Sequence, residues 1–586
     1  MTTLYARCAV IAALTFAPFL AARGEQLLDH LPEDALAAAV VHNISGTNAK
    51  IERVLKIFQE IAPAPIPAPL PLVKAATGLG AGLNEEGDVM LALLHNEQQP
   101  VAPRPLLLVA VSDYAAFAGS VNGDATGEIC RVTIAEEEVL VAQRGSFAVL
   151  MNVEHRDRME TLLATPPRPV AALAPLAKWL AATDFAAVLT PVGVKTLTAY
   201  GRAGVSGQRG QLDQQFDDPA MADTLRQMKQ SLAIFDGVLG LLDAEVSAVG
   251  LGLSIDDATN LRLTKRVVLS QDGELAKIKG VAASDQSPLA GYAAGPFVAA
   301  VGGPVPAAWK ESLGEFSRKM MEQFAEDYGF EDFKAEDWQK VQSSWQTAMQ
   351  GLRSMSLIVL PGEKDEPIYS NVYGIAKVDD ARAYLKSYRE STTLWNELMA
   401  RSSGDINLQY EMSDVKVGGR EAMLMVVDVA AAAGGPNAPE MEPIMEAMFG
   451  EEGKMRAYMV VADEHTVVSG LAPEDRIAAA VEQALSNEPG LAESPSVQSA
   501  VKLLDPQAPW RAVVSPQGCV EWFSRMWSLM IGQLGGGAPT IPEYPEAPPV
   551  AFSINFDGGQ FLGEMVWPVE TLEGLVTFIK KCQGEF

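Results

Sequence analysis

Four stretches of this chain share one phrase: a short apolar run, a turn, and a helix with a single greasy face. They are LAAAVVHNISGTNAKIERVLKIF (36–58), DFAAVLTPVGVKTL (184–197), PFVAAVGGPVPAAWKESLGEFSRKMM (296–321) and PWRAVVSPQGCVEWFSRMWSLM (509–530). In the first the apolar positions Ile51, Val54, Leu55, Phe58 and Ile61 step by three and four. Trp309, Leu313, Phe316, Met320 and Phe324 do so in the third, and Val520, Phe523, Met526, Trp527 and Met530 in the fourth. In the second the clear stripe comes later, at Met221, Leu225, Met228, Leu232 and Phe235, so that helix is expected to be deferred. A one-faced helix must bury its stripe against another element.

The covering element follows directly. Segments 88–113, 247–269, 355–380 and 550–568 each hold two apolar runs around a turn rich in Asp, Gly, Asn or Pro, the pattern of a β-hairpin. Three of them lead into a second helix. Asp379 or Asp380 can cap one that carries Tyr384, Leu385 and Tyr388, and Leu572, Leu575, Val576 and Ile579 stripe the last. The unit is β-α-β-β-α. A longer correspondence sets 140–163 on 458–481 at one offset, with Asp157-Arg158 falling on Asp475-Arg476 at a helix start. The expectation is an α+β fold of antiparallel sheets with helices mainly on one face, ferredoxin-like in places, built as two similar halves. These span 25–285 (units of about 25–170 and 171–285) and 286–586 (about 286–505 and 506–586). PAPIPAPLP (63–71) and APTIPEYPEAPP (538–549) read as stiff polyproline connectors, and 430–443 with the Met-rich run after it as an insertion.

Residues 1–24 have a signal-peptide layout: Arg7, an apolar run from Cys8 to Ala22, and small residues at Ala22 and Gly24 where cleavage would fall. The run is shorter than a spanning helix needs, and no later stretch reaches that length. The chain carries a formal charge of −29, which becomes −31 once Arg7 and Arg23 are removed with the leader. That charge disfavours nucleic acid and anionic membranes as partners and keeps an exported protein dispersed. An envelope protein or an apolar ligand remains as partner.

Chemical signatures are absent. H-E-x-x-H, G-x-S-x-G and the P-loop pattern do not occur, and Gly78–Gly82 lacks the spacing of a dinucleotide loop. His155-Arg156-Asp157 opens like a kinase catalytic loop, but Leu162 stands where Asn is required, so the triplet reads as a helix start. Segment 121–129 has a calcium-loop flavour, but Thr133 replaces the closing Glu and a turn is the better reading. The five histidines His30, His42, His95, His155 and His465 are scattered, so no catalytic, cofactor or metal residues are assigned. Three cysteines follow the leader, Cys130, Cys519 and Cys582. If the last unit is ferredoxin-like, Cys519 at the start of one helix and Cys582 at the end of the next share one end of the layer. They could then form a disulfide worth about 4 kcal/mol in the chain-entropy account. Two separate thiols are the alternative.

HLPEDALAAAVVHN at the start of the mature chain, RPLLLVAVSDYAAFAGSV and YSNVYGIAKVDDARAYLKSYRE resemble large exported proteins of Planctomycete-type bacteria. Those open with Leu-Pro-x-Asp, run into an apolar strand and later show strand–Asp–helix phrases. The resemblance implies export and an α+β fold. It brings no site residues, because that family has no established activity. Three functional readings follow. The first is a non-enzymatic structural or binding protein of the periplasm or cell envelope. The second is a carrier holding an apolar ligand between sheet and helices, with Trp522, Phe523, Met526 and Trp527 as wall residues or ordinary core. The third is a hydrolase using a pair of carboxylates.

Overall fold

The computed structural model describes residues 27–585 apart from 79, 97–101, 135–136, 216–221, 279, 282–286, 325–334, 364–365, 401–408, 430–437, 487 and 534–539. The leader, most of the expected insertion and the first residues of the second Pro-rich stretch lie outside the described residues. The chain divides into two compact units. The first comprises residues up to Gly201 with Leu242–Ser270 and Gln560–Glu564; the second comprises Arg202–Leu241, Gln271–Gly559 and Met565 onward.

The chain begins with β1 (Ala35–Val41), α1 (Ile44–Phe58), α2 (Pro69–Thr77), β2 (Val89–Leu94), β3 (Arg104–Ala110) and α3 (Tyr114–Ser120). A meander β4 (Ile129–Ile134), β5 (Glu137–Arg144) and β6 (Phe147–Asn152) leads to α4 (Arg156–Ala164) and α5 (Ala177–Ala181). Then come β7 (Phe185–Leu189), a helical pair α6 (Pro191–Gln215) and α7 (Ala222–Glu245), and the hairpin β8 (Val246–Ile255) and β9 (Leu261–Leu269). Hydrogen bonding orders the strands β4-β5-β6-β3-β2-β1-β7-β8-β9, every pair antiparallel.

The second run holds β10 (Ala299–Pro304), α8 (Ala307–Phe324), α9 (Ala335–Gln350), β11 (Leu352–Val359), β12 (Val372–Val378) and α10 (Ala381–Met399). It continues with β13 (Tyr410–Val417), β14 (Arg420–Asp428), α11 (Ala438–Phe449), β15 (Lys454–Asp463), β16 (Thr466–Leu471), α12 (Glu474–Leu485) and α13 (Pro495–Val501). It ends in β17 (Trp510–Val514), α14 (Pro516–Gln533), β18 (Val550–Asp557), β19 (Gln560–Trp567) and α15 (Val569–Glu585). Its strand order is β13-β14-β15-β16-β12-β11-β10-β17-β18, again antiparallel. A diglycine turn closes the β13–β14 hairpin: Gly418 and Gly419 have φ of 56° and 78°, the left-handed pair that a two-residue hairpin turn needs.

The expected hairpins at 88–113, 247–269 and 355–380 form, and the fold is α+β. Four expectations change. Helices cover both sheet faces rather than mainly one. Val40 belongs to a core with Met159, Leu176 and Leu180 from one side, while its neighbour Val41 packs with Ile44, Phe117 and Ala118 on the other. The runs VMLALL in β2 and FAVLM in β6 are continuously apolar rather than alternating, as a sheet buried on both faces requires. Ferredoxin-like splitting is not what joins the first strands: β1 bonds directly to β2 in antiparallel register, although α1 and α2 separate them in the chain. The helix after β7 is not deferred either; it starts at Pro191, a residue whose fixed φ suits a first turn. Pro69 likewise opens α2, so the first Pro-rich stretch ends as helix rather than as polyproline.

Candidate functional site

The face of β1, β2, β7 and β8 that meets α6 and α7 is unlike its reverse. Two cross-strand rows cover it, Leu93–Ala37–Leu189–Val249 and Leu91–Ala39–Ala187–Leu251. The residues between them are fully packed, with Ala92 at 0%, Val188 at 1% and Ala38 at 2% exposure. The row residues are half-buried or open, and Leu251 is 54% exposed.

Small side chains explain the difference. At Ala37, Ala39 and Ala187 a strand would ordinarily place bulky β-branched residues, and alanine leaves the space above the backbone unfilled. Helices α6 and α7 roof that space with Val194, Leu197, Thr198 and Leu242, enclosing a cavity of about 420 Å3. Among the described residues no charged one lines it, and Thr198 is the only one there with a polar side chain. The Thr198 hydroxyl donates to the Val194 carbonyl at 3.0 Å and lies 3.3 Å from Asp243 Oδ1 on α7, so it is already engaged by the two helices. Leu197 and Leu242, at 60% and 42% exposure, continue the apolar surface outward from the cavity.

The approach of α6 is set by Thr190-Pro191-Val192-Gly193. The Thr190 amide donates to the Leu36 carbonyl at 3.0 Å, and its hydroxyl accepts from the Gly193 amide at 3.1 Å as a helix cap. Gly193 lies so close to β1 that a Cβ there would fall 1.8 Å from the Leu36 oxygen. On the opposite face of β8, Gly250 and Gly252 leave room for the Trp179 ring, whose Nε1 donates to Thr264 at 2.9 Å.

A buried polar cluster lies beyond the end of β1. Lys50 Nζ is 2.6 Å from Asp184 Oδ1, Asp184 Oδ2 accepts from the Ile255 amide at 2.8 Å, and His42 Nδ1 lies 3.2 Å from Asp88 Oδ2. Each buried acid faces a basic group of its own, so these two do not form the proton-sharing carboxylate pair that a hydrolase reading needs. Among the described residues no group of three or more His, Cys, Asp or Glu is placed to hold a metal. No helix among them is long and apolar enough to cross a membrane.

No family model, curated protein or solved structure matches this chain. Function has to be read from its own geometry.

The side chains singled out in the sequence sit elsewhere. Trp522 meets Tyr369 edge-on with ring centres 6.2 Å apart, and Phe523 stacks on Trp527 at 6.0 Å, all away from the cavity wall. Cys519 lies in the first turn of α14 with its thiol 4.0 Å from the Val298 carbonyl, and burial raises its pKa. Cys582 lies on α15, and Cys130, Cys519 and Cys582 are free thiols, so the Cys519–Cys582 bridge is not formed here. The alanines of the cavity floor, Ala37, Ala39 and Ala187, lay inside two of the quoted phrases. Their signal was alanine at alternate strand positions, which reads as strand but not as space.

Proposed function

We propose that this chain is an exported, non-catalytic binding protein of the periplasm or cell envelope, whose first unit carries a small apolar ligand. The cavity of about 420 Å3 between the alanine-lined sheet face and α6–α7 supports the reading. Its volume lies in the range of small-molecule sites, and its walls offer dispersion and desolvation without a charge to anchor a polar group. Export rests on the leader layout of residues 1–24 and on the resemblance to exported Planctomycete-type proteins.

The two units are, in this reading, copies of one layout. Setting aside the outer strand β13, the order β14-β15-β16-β12-β11-β10-β17-β18 runs parallel to β4-β5-β6-β3-β2-β1-β7-β8. Details recur with it. The Val111 amide donates to the Ser146 carbonyl and the Val378 amide to the His465 carbonyl, each at 2.9 Å. Asp113 caps α3 and Asp380 caps α10. Ser515-Pro516-Gln517-Gly518 repeats the cap of α6, and a Cβ on Gly518 would lie 1.9 Å from the Phe297 oxygen.

Native mass spectrometry of the full chain, exposed to dodecanol, tests the carrier. The wild type is expected to retain dodecanol, and Ala187→Phe, which fills the cavity, to weaken retention about tenfold or more. Equal retention by both proteins, or none by the wild type, would overturn it.

A further inference from the structure

A second cavity, of about 430 Å3, lies in the other unit among α8, α9, α10 and the β13–β14 hairpin. Its walls carry five aromatic side chains: Trp345, Tyr384, Tyr388, Trp395 and Tyr410. Three of them, Tyr384, Tyr388 and Trp395, follow one another along α10 at helical spacing. Tyr410 is held in place by α10 as well. Asn396 Nδ2 donates to the Tyr410 carbonyl at 2.7 Å, and the Tyr410 amide donates back to Asn396 Oδ1 at 3.0 Å. That reciprocal clamp fixes the strand end against the helix, so this part of the wall is formed before any ligand arrives. Trp345, on α9, is 39% exposed, unusually open for so large an apolar ring.

The lining decides the class of ligand. Among the described residues no Asp or Glu lines the cavity, and Arg318 does, so a cation would meet a like charge and no counter-charge. Arg318 Nε is already 3.0 Å from Glu315 Oε2, which weakens any pull on an anion. A sugar would bring many hydroxyls, and of the polar side chains on this wall Arg318 and Thr392 are already engaged, leaving Gln342 and Ser391 beside the aromatic rings to meet them. The Thr392 hydroxyl donates within α10 to the Tyr388 carbonyl at 2.9 Å, and an unmatched buried hydroxyl is costly. What gains most from such walls is a neutral flat ring, through offset or edge-on stacking.

We propose that this pocket binds a neutral aromatic compound of one or two rings, stacked on the tyrosine and tryptophan side chains of α9 and α10. Burial raises the Tyr384 phenol to about 12 and raises Tyr388 as well, so these two walls of the pocket stay neutral across the physiological range. Binding of an uncharged ligand is therefore expected to be flat between about pH 5 and 9.

Titration calorimetry of the full chain with 2-naphthalenemethanol provides the test. Saturable binding is expected, weakened about tenfold by Trp345→Ala and by Tyr388→Leu, and unchanged by Ala187→Phe in the other unit. Trp345 is exposed enough that its loss leaves the fold intact, and circular dichroism checks this. Benzyltrimethylammonium, benzoate and maltose serve as cation, anion and sugar, each expected to bind at least tenfold more weakly. The proposal is overturned by absence of saturable binding at millimolar probe, by binding indifferent to both pocket variants, or by tighter binding of any of the three comparison ligands. Loss of binding in Ala187→Phe alone would place the probe in the first unit's cavity and equally refute this site.

Discussion

At the level of single residues, His30 shows how position alone sets chemistry. Its ring stands edge-on to Phe147 with centres 5.0 Å apart, and its Nδ1 is buried without a hydrogen-bond partner. Burial, and after it the charge of Arg144, lower its pKa from 6.5 to about 4. The unfolded chain therefore takes up a proton between these two values that the folded chain refuses. The stability associated with neutral His30 is complete above pH 6.5 and is lost as the pH falls toward 4. Urea midpoints measured across that window are expected to fall with pH in the wild type, and less steeply in His30→Gln. Identical slopes would mean that His30 titrates normally in the folded protein. Nothing adjacent to His30 in the chain signalled this, since Phe147 and Arg144 arrive from β5 and β6.

Helices and strands were more legible than their meeting points. The hairpins at 247–269 and 355–380 could be read because apolar runs and turn residues are local facts. The start of α6 could not, because Gly193 is dictated by the Leu36 carbonyl of a strand far back in the sequence. A glycine inside a helix normally weakens it, and at Gly193 the close contact with β1 outweighs that cost. Two substitutions in the same helix separate these roles. Gly193→Ala forces a methyl group into β1 backbone and is expected to destabilise by about 2–4 kcal/mol in denaturant titrations. Gly204→Ala, with nothing within 4 Å of its added Cβ, is expected to stabilise by up to about 1 kcal/mol. A neutral Gly193→Ala would show that α6 can shift without cost, and the enclosed space beneath it would then not be fixed. The cavity itself escaped the sequence for a related reason. Ala37, Ala39 and Ala187 announce a strand, while emptiness above them depends on how far α6 stands off.

Over the whole chain, hydrophobic burial follows the division into units. One core joins Leu27, Met90, Leu106, Met151 and Leu180, and a second on the reverse sheet face joins Phe117, Val132 and Leu150, all within the first unit. The second unit has its own pair, one around Val460, Ile477 and Val513 and one around Leu385, Met423 and Met459. None of these four clusters draws members from both units. Cooperativity in small proteins comes from sharing one core, so separate cores give each unit its own melting behaviour. A single lesion in each provides the check. Met90 and Ile477 are both at 0% exposure, and truncating either to alanine costs about 2–5 kcal/mol. By calorimetry, Met90→Ala is expected to lower one transition by roughly 5 to 15 °C and leave the other in place, with Ile477→Ala doing the reverse. If both variants shift a single transition equally, folding is coupled across the units despite their separate cores. A ligand held only in the first unit's cavity should then raise the transition that Met90→Ala lowers and leave the other unmoved, because a ligand stabilises only the unit whose folded state binds it.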